Sequence, residues 1–244
     1  MMKRHVFAAF TTLLAAGFTP TSATDHNWNK GLDLTSADLS TFRLVLMNEG
    51  KEAGEMTYGW RKESGHYVIE DRTTMEPNII ETAKAVVDSD TLLPRSVAIN
   101  FAMGESFMNV DLGWAGLNRY GKIISKRPGS EETIRDVDLI EDNPAPLRLA
   151  VIGFVAAMPL DVGFESSFDW FNTLANRTET VKISVTGTQE VKTPAGTFDT
   201  YVVELRGATP ENVVYVSKGK PRRIVRIDVV GRPMYFELAP RQAD

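Results

Sequence analysis

The residue types that most often carry acid–base, nucleophilic or metal chemistry are sparse in this chain. There is no cysteine, which removes thiol nucleophiles, thiolate metal sites and disulfides together. Of three histidines, His5 and His26 precede the first expected strand. Only His66 falls inside the expected fold, beside Gly65 at a strand edge. One imidazole without partners makes neither a triad nor a metal site. Carboxylates are many but scattered. Glu131-Glu132 and Glu141-Asp142 are neighbours and point to opposite sides of an extended chain, and Glu70-Asp71-Arg72 reads as a solvated strand face. A glycosidase-type pair needs two carboxyls that converge in space, which no stretch advertises. None of the G-x-S-x-G, H-E-x-x-H, P-loop or G-x-G-x-x-G patterns occurs, and Ser217-Lys218 lacks the S-x-x-K spacing of acyl-enzymes. The expectation is a protein that is not an enzyme, with no catalytic residue, no metal ligand and no cofactor.

The chemistry these residues do support is apolar binding. Trp60, Phe101, Met103, Trp114, Phe154, Met158, Phe164, Phe168, Trp170 and Phe171 form the expected lining of a hydrophobic cavity. Methionine adapts to irregular apolar shapes. The segment from Phe164 to Phe171 is expected to be a loop, and a loop with that much apolar area caps a core or lines a pocket mouth.

The elements that must position these residues are mostly strands. Val181, Ile183 and Val185 alternate with Lys182, Ser184 and Thr186, and Val225, Ile227 and Val229 alternate with Arg226 and Asp228. The same period of two runs from Phe42 through Leu44 and Leu46, through Met56, Tyr58 and Trp60, and through Val97, Ile99 and Phe101. Ile79 to Asp88 reads as a further strand among the hairpins. In the middle, Asn143-Pro144-Ala145-Pro146 breaks the pattern, and Leu147 to Met158 follows as a helix of about three turns capped by Asn143, apolar nearly all round, with only Arg148 charged. A helix without a polar face must be covered on every side. A sheet of about ten or more antiparallel strands curls rather than staying flat. The expected fold is therefore mainly β: a single curled antiparallel sheet forming an open, or half, β-barrel, with one or two helices covering its mouth or concave face.

Lys3 and Arg4, the apolar run from Val6 to Phe18 and the small residues up to Ala23 read as a signal peptide over residues 1–23. Residues 24–41 read as a flexible leader and residues 42–240 as one β-barrel domain. No later stretch approaches the ~20 apolar residues of a membrane-spanning helix. No cysteine is present to carry a lipid, so a periplasmic, non-lipidated protein is expected. The formal net charge of -5 argues against nucleic acid as a partner. The one basic cluster, Lys218, Lys220, Arg222, Arg223 and Arg226, reads as a solvated hairpin rim.

The run Thr193-Pro-Ala-Gly-Thr-Phe-Asp-Thr-Tyr-Val-Val-Glu-Leu, followed by Val214-Tyr-Val-Ser and Pro221-Arg-Arg-Ile-Val-Arg-Ile, resembles the bacterial envelope family DUF3108. The opening turn Gly50-Lys51-Glu52-Ala53-Gly54-Glu55 fits it too. The resemblance would span Phe42 to Leu238. The family looks related in fold to periplasmic lipoprotein carriers of the LolA/LolB type, an incomplete barrel around an apolar cavity. That implies a non-catalytic binding or carrier protein whose partner is a hydrophobic small molecule or lipid of the envelope. The alternative is an envelope assembly or scaffold protein that contacts another envelope protein through a sheet edge. A lesser alternative is a hydrolase, which would need a buried polar cluster facing the cavity.

Overall fold

A computed structural model describes residues 28–241. The expected signal peptide, His5 and His26 lie outside the described residues. Most strands fall where the alternation puts them. β1 (Phe42–Asn48), β2 (Lys51–Glu63), β3 (His66–Met75), β4 (Ile79–Asp88), β5 (Pro94–Met103), β6 (Ser106–Ala115), β7 (Asn118–Lys126) and β8 (Thr133–Ile140) make one antiparallel meander. After helix α1 (Arg148–Val155), β9 (Glu165–Asn172), β10 (Arg177–Thr193), β11 (Gly196–Arg206), β12 (Asn212–Ser217), β13 (Ile224–Val229) and β14 (Met234–Leu238) make a second. β1 zips the two together against β14, with Leu44 opposite Leu238 and Leu46 opposite Phe236. The result is one 14-stranded antiparallel sheet whose end strands, β8 and β9, do not pair with each other.

The opening turn shows why its glycines are placed as they are. Gly50 adopts a φ of 75° at the tip of the β1–β2 hairpin. Gly54 sits opposite Leu46, where the register slips, and a Cβ there would collide with the Thr74 carbonyl of β3. Side chains are excluded from that bulge by the neighbouring backbone.

The sheet wraps around α1, as its partners show. Tyr58 on β2 donates to the Leu149 carbonyl at 3.0 Å, and Arg148 donates to Asn212 at the start of β12 at 3.0 Å. Leu147 bridges Phe171 on β9. One two-turn helix reaches β2, β9 and β12 only if the sheet curls round it. The gap between the sheet ends is closed by side chains: Trp114 on β6 stands edge-on to Phe171 at 5.6 Å, and the Arg119 guanidinium of β7 lies over the same ring at 4.1 Å. Behind the helix, Phe154 lies 4.9 Å from Trp28 and 5.0 Å from Trp60.

Gly153 lets the helix approach β2 this closely. A Cβ on it would stand 2.5 Å from Trp60 Nε1 and 3.0 Å from the Tyr58 hydroxyl. Those two groups are themselves hydrogen-bonded at 2.7 Å. Gly153→Val is therefore expected to push α1 off β2 and to cost about 1–3 kcal/mol, the usual range for overpacking. Thermal and urea unfolding of the variant would measure it; unchanged stability would mean the helix does not rest on Trp60.

Several expectations need correction. The helix is shorter than Leu147 to Met158, and it is capped by Leu147, with no side-chain hydrogen bond, rather than by Asn143. The chain stays extended through Pro146, whose carbonyl accepts from Phe171 N–H at 2.8 Å, and so it cannot turn helical earlier. After Val155 it continues as tight turns to Met158. The expected aromatic loop from Phe164 to Phe171 is strand β9 from Glu165 on, paired along β10. The expected flexible leader is packed from Trp28 onward. Asp33 N–H donates to the Ala157 carbonyl at 2.9 Å, and Asp38 and Ser36 exchange backbone bonds with Arg222 at 2.7 Å. The basic rim is partly consumed as structure. Arg222 donates to the Met158 carbonyl, Arg223 pairs with Asp38 at 2.9 Å, and Arg226 reaches Asp228 and Glu237.

Candidate functional site

The core does not fill the barrel. Between α1 and the strands on its other side lies a cavity of about 300 Å³, at the small end for ligand pockets of ~300–1,000 Å³. Most of its wall is apolar, from Leu46, Met56, Ile99, Leu205 and Phe236 of the sheet and Leu149 and Ile152 of the helix. Half-buried Met75, Ile79 and Met234 and exposed Pro210 mark its opening, at the end of the barrel where β3 turns into β4.

One corner is polar. The inward face of β3 carries Asp71, Thr73 and Met75, and that of β4 carries Ile79 and Glu81; Thr73 and Glu81 are opposite each other in the register. Arg148 enters from the first turn of α1. Its Nη2 donates to Asn212 Oδ1 at 3.0 Å, its guanidinium lies 5.5 Å from the Trp170 ring, and its Nε is buried without a partner. Asp71 is 8% exposed and accepts one hydrogen bond, from Thr73 Oγ1 at 3.1 Å. Burial, with the like charge of Glu81 second, pushes the Asp71 carboxyl up to about 7. Burial raises Glu81 as well, while Arg148 pulls it back. Burial lowers Arg148, and the negative charges of Glu81, Glu179 and Asp71 oppose that. Behind this corner, Glu179 accepts from Asn172 Nδ2 at 3.0 Å, Arg177 Nε at 2.8 Å and Trp170 Nε1 at 3.3 Å. Burial alone would raise Glu179, but those donors hold it below its ordinary range.

A larger cleft, about 680 Å³, lies outside the barrel between the packed N-terminal segment and the β1–β14 seam. Its charges pair among themselves, Asp38 taking both Arg223 and Arg241 at 2.9 Å and Arg43 taking Glu55 at 3.3 Å. Arg43 Nε in the outer cleft and Arg148 Nε in the inner cavity are both buried without a partner, and only the inner cavity sets such a donor beside the buried Asp71 and half-buried Glu81 carboxyls.

The sequence matches the family described as "Protein of unknown function (DUF3108)" over residues 39–237. The chain belongs to this family. Among curated proteins no match is found. Among solved structures, the crystal structure of a beta-barrel-like protein of domain of unknown function DUF1849 from Brucella abortus is similar, with 13% identity and a TM-score of 0.45 over 84% of this chain and 98% of that one.

Of the ten residues expected to line a hydrophobic cavity in this DUF3108 chain, Trp170 borders the inner one. Trp60, Phe154, Phe168 and Met158 are buried in the packed core on the far side of α1, and Phe171 is buried at the seam beneath Trp114 and Arg119. Phe164 and Trp114 pack partly buried against that core, Phe101 is half-buried, and Met103 is 49% exposed at a hairpin end. Sequence reasoning missed Asp71, Glu81 and Arg148. The neighbours Glu70 and Arg72 suggest a solvated face, yet Asp71 shares strand parity with buried Ile69. Glu81 likewise shares parity with buried Ala83, Ala85 and Val87. His66 pairs with Glu63 at 3.0 Å, away from the cavity.

Proposed function

We propose that this DUF3108 chain is a non-catalytic periplasmic binding or carrier protein that holds a hydrophobic envelope molecule in the cavity beside α1. The observation that carries this reading is the apolar void between helix and sheet, with an opening at one barrel end. Each methylene moved from water into such a site contributes ~0.8 kcal/mol, so a short acyl or alkyl chain supplies useful affinity without a covalent step. The fold relation to LolA/LolB-type carriers that the family resemblance implies is in keeping with this reading. Native mass spectrometry of protein purified from envelope extract tests it. The expected result is a retained small molecule, lost in Ile152→Trp, which places an indole in the void while leaving the helix's buried face intact. Protein that carries nothing and takes up no neutral amphiphile would end the reading.

A second reading, envelope assembly through a sheet edge, is favoured by β8. This strand is an unpaired edge on which Ile134 and Ile140 are 57% and 79% exposed. A stoichiometric protein partner crosslinked at β8, in cells where the cavity stays empty, would favour it.

A further inference from the structure

The cavity's polar corner says something about the head of the molecule it takes. Resting on the reading of this void as a ligand site, we infer that its ligand is a cationic amphiphile, an alkylammonium whose hydrogen-bond-donating head sits against Asp71 and Glu81 while its tail occupies the apolar wall.

The neighbouring amides are already committed: Asn212 accepts from Arg148 and donates to the Asp228 carbonyl, and Asn172 donates to Glu179 and the Thr209 carbonyl. Asp71, more than nine-tenths buried, spends one oxygen on Thr73 and aims into the void. Glu81 accepts no side-chain hydrogen bond among the described residues, and the surface it retains faces the same void. The corner's spare capacity is therefore mostly carboxylate oxygen, with the Arg148 Nε–H as a spare donor beside it. An ammonium group offers three donors and no acceptor. Asp71 and Glu81 occupy diagonal positions on adjacent strands, since Asp71 faces Ala83 and Glu81 faces Thr73. Such neighbours are ~7–8 Å apart at Cα, close enough for one small cation to touch both carboxylates.

Charge points the same way. Two carboxylates and one guanidinium leave the corner one negative charge in excess when both acids are ionised. Arg148 couples to both acids through space, and its hydrogen bond goes to Asn212 instead. Buried charges without partners are costly, and an arriving cation relieves that cost where an anion would add to it. Burial first, and the like charge of Glu81 second, push the Asp71 carboxyl up, and Arg148 only partly offsets them. The lone Arg148 does not reverse this, because an anionic head bonded to it would lie beside two carboxylates.

Calorimetric titration with octylammonium, octanol and octanoate tests the inference, each at about pH 8 and about pH 5.5, on either side of the Asp71 carboxyl. At the higher pH octylammonium is expected to bind on the order of ten-fold or more tighter than octanol, and octanoate weaker than both. At the lower pH, where Asp71 takes up a proton, the advantage should shrink. In the double variant Asp71→Asn, Glu81→Gln the octylammonium advantage over octanol should vanish. Equal binding of the three, or octanoate binding best, would overturn the cationic head and leave the apolar site standing. A cavity that takes none of them would overturn the site itself.

Discussion

Replacing Phe154 by alanine is expected to remove about 3–5 kcal/mol of stability, the range for deleting a fully buried phenylalanine. That is a large share of the ~5–15 kcal/mol that holds a typical domain folded. The expectation rests on what the ring touches. Phe154 is wholly buried on the side of α1 facing away from the cavity, with Trp28 and Trp60 rings within 5.0 Å. Those two belong to different parts of the chain: Trp60 is in β2, and Trp28 is in the packed segment before β1. The void left by alanine would be roofed by large rigid indoles, which cannot collapse into it as a flexible side chain would. Loss should therefore spread to the N-terminal segment, whose hold includes Trp28 and the Asp33 N–H bond to the Ala157 carbonyl just past the helix. Urea unfolding measures the first effect, and amide exchange over residues 28–41 measures the second. A loss below about 1 kcal/mol with that segment still protected would mean that the helix is not the hub around which the sheet closes.

How much of this was legible beforehand depends on whether a residue's neighbours are near it in sequence. Strands half in water announce themselves by alternation, and β1, β2, β5, β10 and β13 follow their patterns. β9 did not, because Trp170, Phe171 and Asn172 are buried in succession. Trp170 on one face of β9 borders the cavity and Phe171 on the other is covered by Trp114 and Arg119, so alternation fades where the strand is enclosed. A helix apolar on all sides inside a curled sheet followed from the need to cover it, and α1 is so placed. Its uncapped start did not follow, because the bond that delays it comes from β9, more than twenty residues later. The aromatics drew attention as a lining, yet large rigid rings pack best against each other, and they built the core instead. The void is bordered by residues scattered from Leu46 to Phe236. Its charged corner was hidden for another reason: charged side chains are normally solvated, so residue type outweighed the strand parity that placed Asp71 beside Ile69 and Thr73.

The same corner is expected to make stability fall as pH rises, and Asp71→Asn to abolish most of that fall. An aspartate in an unfolded chain titrates near 3.9. In the folded protein burial and Glu81 move Asp71 up to about 7. The sign follows from which state holds the proton more tightly. Below about pH 4 Asp71 is protonated folded or unfolded and contributes nothing to the difference. Between about pH 4 and 7 the folded state keeps a proton that the unfolded state releases, so stability declines with rising pH; above about 7 the penalty is constant. One unit of displacement is worth 1.36 kcal/mol, which puts the full penalty on the order of a few kcal/mol. The groups facing Asp71 are Glu81 from β4, which adds to the effect, Arg148 from α1, which opposes it, and the Tyr58 phenol and Thr73 hydroxyl from β2 and β3. Asparagine has nearly the same shape, can still accept from Thr73, and carries no charge to bury. The variant should match the parent at about pH 4 and exceed it by ~1–4 kcal/mol at about pH 8. Glu81, also raised, should leave a smaller slope of the same sign in the variant. Urea unfolding across that pH range reads both curves, and parallel curves would show that Asp71 meets water in the folded protein rather than a dry wall shared with Glu81.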